Sequence, residues 1–443
     1  MEPEWNITLA DRQPEQNPGK NITQPSSTYT AAPSQRLIPL LGLACGITVS
    51  ALYFNQPLLI EMGRSLHATE AQMGHVAVAA QAGYAIGLLF LVPLGDVLER
   101  RSLIVKMIAG LVLAMLITAV VPTLLLMVLI TLVTGILAAV THVLLPMAAE
   151  IATPANAGRA VGSVMTGLLL GILLSRTFSG WIAEWLNWRS VFVIASVMAI
   201  ALGVFLRRAL PLLPPRVPMP YLSALRSLWT LVRTQPLLIE SATIGGLVFA
   251  AFSAFWTTLI FLFGSPHYRL GAGVAGSFGL LGAIGASIAP IAGRLADRYG
   301  SRWIISIGLT VLILSWVVTW SLGYHIAGLI IGVLMMDAAA QATQVGNQTR
   351  IFALARCPGT AYGARSRINT VYMTIYFIFG SLGSYLGAHA WERWQWPGVC
   401  TLALLLLALA AARHAYGTIR NRNREEVCHE EVDVAMAKEA IGG

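Results

Sequence analysis

Two charged side chains stand inside apolar runs of this sequence, where they could bind a proton or a charged group. Asp337 and Arg176 each lie within a stretch long and apolar enough to form a membrane span. An ionised group in hydrocarbon costs about 2.5–3.5 kcal/mol on insertion scales, so each should face a water-filled cavity or a partner. A buried carboxyl can exchange a proton at physiological pH. Asp337 and Arg176 are therefore the candidates for proton coupling.

A row of amides follows Asp337 along the chain. Gln341, Gln344 and Gln348 come four, seven and eleven residues later, which places all four side chains on one stripe of a helix. Such a stripe must face water or other protein groups. A polar seam against a neighbouring helix is one interpretation, and the lining of a cavity is the preferred one.

Other polar residues near the ends of apolar runs could contribute to the same cavity. They could equally anchor a helix at the membrane interface, pack against another helix or lie in water. The glycine rows, for example Gly83 with Gly87 and Gly167 with Gly171, are more simply explained by close helix packing. The further cavity candidates are Asn369, Tyr372, Tyr376, Asn55 and Glu240.

Metal and cofactor chemistry finds little support in the sequence. The four cysteines show no paired spacing, and the eight histidines are scattered. Neither a metal site nor a bound cofactor is expected. A membrane enzyme would need a clustered nucleophile and base, and no such cluster is present in the sequence.

The composition indicates an integral membrane protein. Hydrophobic residues make up 56% of the chain and charged residues 11%, and the mean hydropathy is +0.70. A hydrocarbon core about 30 Å thick needs roughly 20 apolar residues per helix. Twelve such runs occur between Leu37 and Tyr416, so the expected fold is all-α with twelve transmembrane helices.

The polar segments divide the chain into five parts. Residues 1–36 are expected to form a disordered cytoplasmic tail. Residues 37–206 and 236–416 each hold six apolar runs. The segment between them, 207–235, has five arginines, five prolines and no acidic residue, so it is predicted to be a cytoplasmic loop. Residues 417–443 form a mixed-charge tail.

The net charge of +9 is distributed as a topology signal. Nucleic-acid binding would require the basic residues to share one surface, but they lie in the gaps between apolar runs. One set of alternate gaps carries only Arg64, Arg189, Arg269 and Arg393. Because Lys and Arg remain on the cytoplasmic side, both termini are predicted to be cytoplasmic, in a bacterial inner membrane.

Two charged loops repeat at corresponding positions, each after the second apolar run of its half. The first is Pro93 to Arg101 and the second is Gly293 to Arg302. The second reads Gly-x-x-x-Asp-Arg-x-Gly-x-Arg, an arrangement more specific than a chance cluster of charge. The charged and glycine residues singled out in the two loops are Asp96, Arg100, Arg101, Gly293, Asp297, Arg298 and Arg302.

The two loops resemble the signature of the major facilitator superfamily, and the resemblance covers about residues 37–416. It implies two six-helix halves, with the six charged residues of the two loops acting as a charge latch that breaks as the halves rock. The first copy departs from the signature at Val92, Val97 and Glu99. A helix-five exporter signature begins at Gly167 and Gly171 but loses its proline and its last two glycines. The arginine of the helix-four signature is replaced by Thr131.

Within that superfamily the chain is similar to bacterial twelve-helix proton-coupled exporters of drugs and sugars. The resemblance implies a secondary active transporter that moves a small organic solute by alternating access, with protons as the coupling ion and export as the direction. Import by the same fold is the alternative, and a non-transporting receptor or assembly factor is a more distant one. We expect a lipid-embedded monomer that binds no nucleic acid.

Overall fold

Helix is the only regular secondary structure in the described part of the chain, as the apolar runs predict. The computed structural model describes residues 37–152, 156–212, 220–354 and 364–441. In a membrane, backbone N–H and C=O groups must find partners within the chain, and a helix satisfies them locally. The predicted tail at 1–36 lies outside the described residues.

The helices fall into two groups separated by α10. The first group contains α1 (Leu37–Ser50), α2 (Leu59–Leu66), α3 (Glu70–Phe90), α4 (Leu94–Val97), α5 (Arg100–Val120), α6 (Leu124–Ala138), α7 (Thr141–Ile151), α8 (Ala157–Trp185) and α9 (Trp188–Ala209). After α10 (Tyr221–Thr234) come α11 (Pro236–Gly264), α12 (Ala272–Ser277), α13 (Gly282–Tyr299), α14 (Ser301–Leu322), α15 (Ile326–Leu354) and α16 (Ala364–Ile441).

Twelve membrane spans can be traced through these helices. In the described residues, ten stretches are long and apolar enough to cross a membrane. One of them, the 55-residue stretch Ser366–Arg420 of α16, would be about 80 Å long at 1.5 Å per residue, far longer than one span. It breaks at Gln395, whose φ of 52° and ψ of −150° are not helical, and so forms two spans. With the shorter apolar helix α1, this confirms the predicted twelve-helix, all-α fold.

Two long-range contacts define one face of the molecule, called here the basic side. The hydroxyl of Tyr221 donates to the Phe90 carbonyl oxygen at 2.8 Å, and Arg302 Nη2 donates to the Gly417 carbonyl oxygen at 3.3 Å. The basic side therefore holds the C-terminal end of α3, the start of α10 and the C-terminal end of the last span. The other face, called the opposite side, holds the α5–α6 and α8–α9 connections.

The central segment contains a helix that the sequence analysis did not predict. Within the expected loop, α10 buries Ala224 and Leu228, while Arg226 and Arg233 are exposed. Trp229 is exposed as well. A short helix with apolar and basic exposed groups is typical of one that lies at a membrane surface. All five prolines of the segment precede Tyr221, the first residue of α10. They mark the start of this helix and do not interrupt it.

The glycine rows are confirmed as helix contacts. A Cβ atom at Gly83 would meet the Leu132 carbonyl oxygen on α6, and one at Gly167 would meet the backbone of Gly42 on α1. Small residues let helix backbones approach this closely. The same is true of Gly87, Gly171, Gly380, Gly383 and Gly387.

The two halves contact each other through α3 and α16. Gln81 of α3, which is buried, donates from Nε2 to Ser384 Oγ at 3.0 Å. Its Oε1 accepts from Ser253 Oγ of α11 at 3.2 Å. Nearer the opposite side, Trp391 Nε1 donates to Glu70 Oε2 at 2.5 Å. Gln81 is an amide in the middle of an apolar run. This is the same sequence signal that identifies the row after Asp337, so Gln81 could have been predicted in the same way.

A second contact between the halves joins α8 to α12. Thr177 Oγ1 donates to the Gly276 carbonyl oxygen at 3.0 Å, and the Gly273 N–H donates to Glu184 Oε1 at 3.1 Å. Farther toward the basic side, a Cβ atom at Gly162 of α8 would meet no atom within 4 Å. The halves are thus packed together toward the opposite side, while the face of α8 at Gly162 is open toward the basic side.

Candidate functional site

Arg176 lies in the buried part of α8, close to where the two halves meet. Only 3% of the residue is exposed. Its Nε donates to Gln56 Oε1 at 2.7 Å, and its guanidinium carbon lies 4.8 Å from the Tyr53 ring centre and 4.1 Å from that of Trp256. Cation–π contacts and one hydrogen bond therefore hold the guanidinium in place. Among the described residues, no acceptor binds its two terminal nitrogens.

Asp337 lies on α15 and is also buried, with 6% of its surface exposed. Two glycines of α13 allow the approach: a Cβ atom at Gly285 would come within 3.0 Å of the Asp337 backbone and Cβ. At Gly282, a Cβ atom would lie 3.7 Å from Asp337 Oδ2. That oxygen has no hydrogen-bond partner in the described part of the chain. A buried polar atom without a partner costs free energy unless a ligand, proton or water satisfies it.

The two charged candidates come together although they belong to different halves. Asp337 and Arg176 interact electrostatically, yet the described residues show no direct ion pair between them. Glu184, eight residues after Arg176 on the same helix, accepts instead from the Gly273 backbone N–H. One carboxyl and one guanidinium thus lie near each other at the interface of the halves without forming a direct ion pair among the described residues.

The space beside Arg176 is small in this state. The cavity volume there is about 10 Å³, roughly what one water molecule needs. A solute could enter only after the surrounding helices move apart. The residues around the cavity are Gln56, Pro57, Arg176, Trp256, Leu259, Ile260 and Ala275.

The amide row after Asp337 lies half-buried on α15. Gln341, Gln344 and Gln348 all have intermediate exposure. The Tyr376 hydroxyl donates to Gln344 Oε1 at 3.5 Å, so that amide meets α16. Both interpretations of the row therefore remain open: Gln344 has a neighbouring helix as its partner, and the row as a whole is neither sealed off nor fully exposed.

Aromatic rings surround the tyrosines predicted on α16. The Phe249 ring stacks on that of Tyr376 with the centres 4.1 Å apart, and Tyr372 lies 5.9 Å from Tyr376. The Tyr372 hydroxyl is buried without a hydrogen-bond partner among the described residues. These tyrosines belong to an apolar wall between α11 and α16.

The two predicted asparagines occupy different places. Asn55 is 4% exposed, and its Oδ1 is buried without a hydrogen-bond partner in the described residues. It is next to Gln56, the partner of Arg176, so the structure brings it to the candidate site. Asn369 is half-buried near the basic-side start of α16.

Glu240 lies in a setting different from the expected cavity mouth. It is fully buried, and its Oε1 forms an ion pair with Arg350 Nη1 at 2.7 Å. Arg413 Nη1 lies 3.9 Å from its other oxygen. These contacts join α11, α15 and the last span, so Glu240 connects helices of the second half at the basic side.

Replacing Glu240 with glutamine is expected to lower the free energy of unfolding by about 3–5 kcal/mol, because it removes the buried carboxylate that pairs with Arg350. Reversible unfolding in a denaturing detergent would measure the loss. Exposed Glu392, changed to glutamine, is the matched control. A double variant, Glu240→Leu with Arg350→Met, should recover most of the loss. If Glu240→Gln had the same unfolding free energy as the control, the ion pair between Glu240 and Arg350 would not stabilise the fold.

The first charged loop forms a buried cluster within its half. Arg100, 3% exposed, pairs through Nη1 with Glu150 Oε1 at 2.6 Å and through Nη2 with Asp96 Oδ1 at 3.3 Å. Its Nε donates to the Gly95 carbonyl oxygen at 2.8 Å. Glu99 accepts from the N–H groups that start α5. This cap explains why a glutamate replaces the signature glycine here.

The second loop is more open. Gly300 has a φ of +89°, a conformation that glycine adopts without the steric cost a side chain incurs, which explains the signature glycine in this copy. Asp297 and Arg298 are exposed, and Gly293 has intermediate exposure. Arg302 binds the Gly417 carbonyl. The latch role of both loops stays a prediction.

Comparisons with known proteins agree with this architecture. A family model described as Major Facilitator Superfamily matches residues 41–373. The chain is 41% identical over 390 residues to the "Uncharacterized transporter YgaY" of Escherichia coli O157:H7, covering 87% of this chain and 96% of that one. It is 33% identical to the "Probable transporter SCO4007" of Streptomyces coelicolor, covering 87% and 89%.

Solved structures show the same fold. A bacterial homolog of the human lysosomal transporter Spinster, in an inward-facing and unoccupied conformation, superposes with a TM-score of 0.68 at 15% identity, covering 86% of this chain and 95% of that one. At this identity the likeness concerns the fold alone. The relatives reported above are named as transporters, not as enzymes.

Proposed function

This chain belongs to the major facilitator superfamily, and we propose that this membrane transporter couples the movement of a small organic solute to that of protons. The observation that carries the proposal is the buried Asp337 carboxyl, which has an unpartnered Oδ2 near Arg176 of the other half. A carboxyl in this position can bind a proton when the site opens to one side and release it when the site opens to the other. Transporters of this type place substrate and ion sites between their two halves.

Alternating access requires the contacts at the opposite side to break and re-form. The α8–α12 and α3–α16 contacts consist of individual hydrogen bonds, ring contacts and close helix approaches, which can separate without unfolding either half. In this state they close the opposite side. Rocking of the halves would part them and open the site beside Arg176 to that side.

The membrane orientation and direction follow from charge and resemblance. We place the basic side, with α10 and the end of the last span, in the cytoplasm, because Lys and Arg concentrate there. Both termini are then cytoplasmic, in a bacterial inner membrane, and the protein acts as a monomer. The resemblance to proton-coupled exporters supports export as the direction. Import is the alternative outcome of the same cycle.

The test uses purified protein in lipid vesicles with an imposed pH gradient. Vesicles are incubated with a small-molecule extract of bacterial cells, and mass spectrometry identifies the solutes whose distribution changes. We expect a small set of solutes to follow the gradient and to equilibrate when a protonophore collapses it. The sign of the movement relative to the cytoplasmic face gives the direction. A solute distribution identical with and without the gradient would rule out proton coupling.

A further inference from the structure

The chemistry of the substrate can be inferred from the groups around Arg176, on the premise that the proposed proton coupling is correct. Gln56 binds Nε, and the Trp256 and Tyr53 rings hold the guanidinium plane. The two terminal nitrogens have no acceptor in the described part of the chain. A fixed guanidinium whose two terminal nitrogens are free matches the two oxygens of a carboxylate or the oxygens of a sulfonate.

The surroundings of this guanidinium are apolar and partly flat. Trp256, Leu259 and Ile260 border the cavity beside it, and the Phe249–Tyr376 stack lies along the neighbouring wall between α11 and α16. Pockets of this type bury the apolar body of a ligand and use a few polar groups to orient it. The site therefore favours an aromatic or other flat apolar body that carries one polar head.

The charge balance of the site decides how that head combines with the proton. When the site is empty, Arg176 and ionised Asp337 together carry no net charge. Protonation of Asp337 leaves the positive charge of Arg176, which a bound monoanion then cancels. The site therefore has no net charge when it is empty, and it has none when it holds a monoanion and a proton. Either form can be closed off from water without burying net charge. A cation exchanged for a proton would leave the site positive in both states, and net charge in a closed apolar site is costly.

We propose that the substrate is an organic monoanion, a carboxylate or sulfonate on a flat apolar body, which binds Arg176 while Asp337 holds a proton. Anion and proton then cross together without net charge. Export occurs when the outward gradient of the anion exceeds the opposing proton gradient. Among the titratable groups described, Arg176 is the one that acts on Asp337; α13 presents glycines to it, and Tyr53 faces Arg176 from the first span.

Binding to the purified protein in detergent tests the head group directly. The probes are benzoate, benzamide and benzylamine, which share one ring and differ in charge. We expect benzoate to bind most tightly, and about tenfold more tightly near pH 6 than near pH 8, because protonating Asp337 removes a nearby negative charge. Asp337→Asn should bind benzoate equally well at both pH values. Tighter binding of benzylamine than of benzoate would overturn the proposal.

Variants at the guanidinium separate recognition from folding. Arg176→Gln should weaken benzoate binding on the order of 100-fold, because two charge-assisted hydrogen bonds are lost, while the weak binding of benzamide changes little. Arg393→Gln, an exposed arginine at the opposite side, is the matched control. Equal loss of both ligands, or unchanged benzoate binding, in a folded Arg176→Gln protein would contradict the assignment.

Transport of benzenesulfonate, which stays ionised and crosses lipid slowly, tests the joint movement. In vesicles that enclose a pH dye, an inward benzenesulfonate gradient should acidify the lumen, and the rate should not depend on the membrane potential. Alkalinisation would show exchange and overturn the shared loaded state. A failure of proton coupling would give a different result from a failure of the anion proposal. Anion binding and its loss in Arg176→Gln would persist, while no solute in the cell extract would follow the pH gradient.

Discussion

Replacing Asp337 with asparagine is expected to abolish solute movement driven by a pH gradient, lowering it to the level of vesicles without protein. Asparagine keeps the size of the side chain and its oxygen, but it cannot bind and release a proton. In the wild-type protein the unpartnered Oδ2 is the atom expected to bind and release the proton. The measurement is accumulation, under an imposed pH gradient, of the solutes identified from the cell extract.

Two controls make that result specific. Glu392→Gln removes an exposed carboxyl and should transport normally. Exchange of labelled for unlabelled solute, which needs no net proton movement, should continue in Asp337→Asn and would show that the variant is folded and moves between its states. Wild-type accumulation in Asp337→Asn would rule out this carboxyl as the proton carrier.

The sequence allowed both central charges to be found but not their proximity. Asp337 and Arg176 are conspicuous because an ionised group among apolar residues is costly, which is a local signal. Their meeting depends on how α8 of one half packs against α12 and α13 of the other, and on how α13 packs against α15, which no spacing along the chain encodes. The rings of Tyr53 and Trp256 hold the Arg176 guanidinium. The sequence does not single them out, because aromatic residues are common in apolar helices and only the fold brings these two to Arg176.

Other differences have local physical causes. Glu240 is predicted as a cavity residue because the inner mouth of a cavity can use a carboxylate; its partners, Arg350 and Arg413, lie more than one hundred residues away in the chain. The helix α10 was missed because five prolines mark the segment, although its own fourteen residues contain none. Twelve spans, by contrast, follow from hydropathy alone.

The close approach of α8 and α12 makes one glycine critical for the closed state. A Cβ atom at Gly180 would meet the carbonyl group of Ala272 in the other half, and backbone cannot move aside as a flexible side chain can. Gly180→Leu should therefore disfavour closure of the opposite side by about 1–3 kcal/mol, which corresponds to roughly a 5- to 150-fold shift toward the open form. Net transport should fall at least about fivefold, because the cycle must pass through the closed state.

The same helix supplies the matched control for this change. Gly162 of α8 has open space around its Cβ position, so Gly162→Leu adds the same side chain without a clash between the halves. Spin labels at Leu186 and Trp394, both exposed at the opposite side, would report the separation of the halves by pulsed electron paramagnetic resonance. We expect longer distances in Gly180→Leu and wild-type distances in Gly162→Leu. If Gly180→Leu kept the wild-type distances and transport rate, closure would not depend on this contact, and the two halves would have to seal the opposite side through α3 and α16 alone.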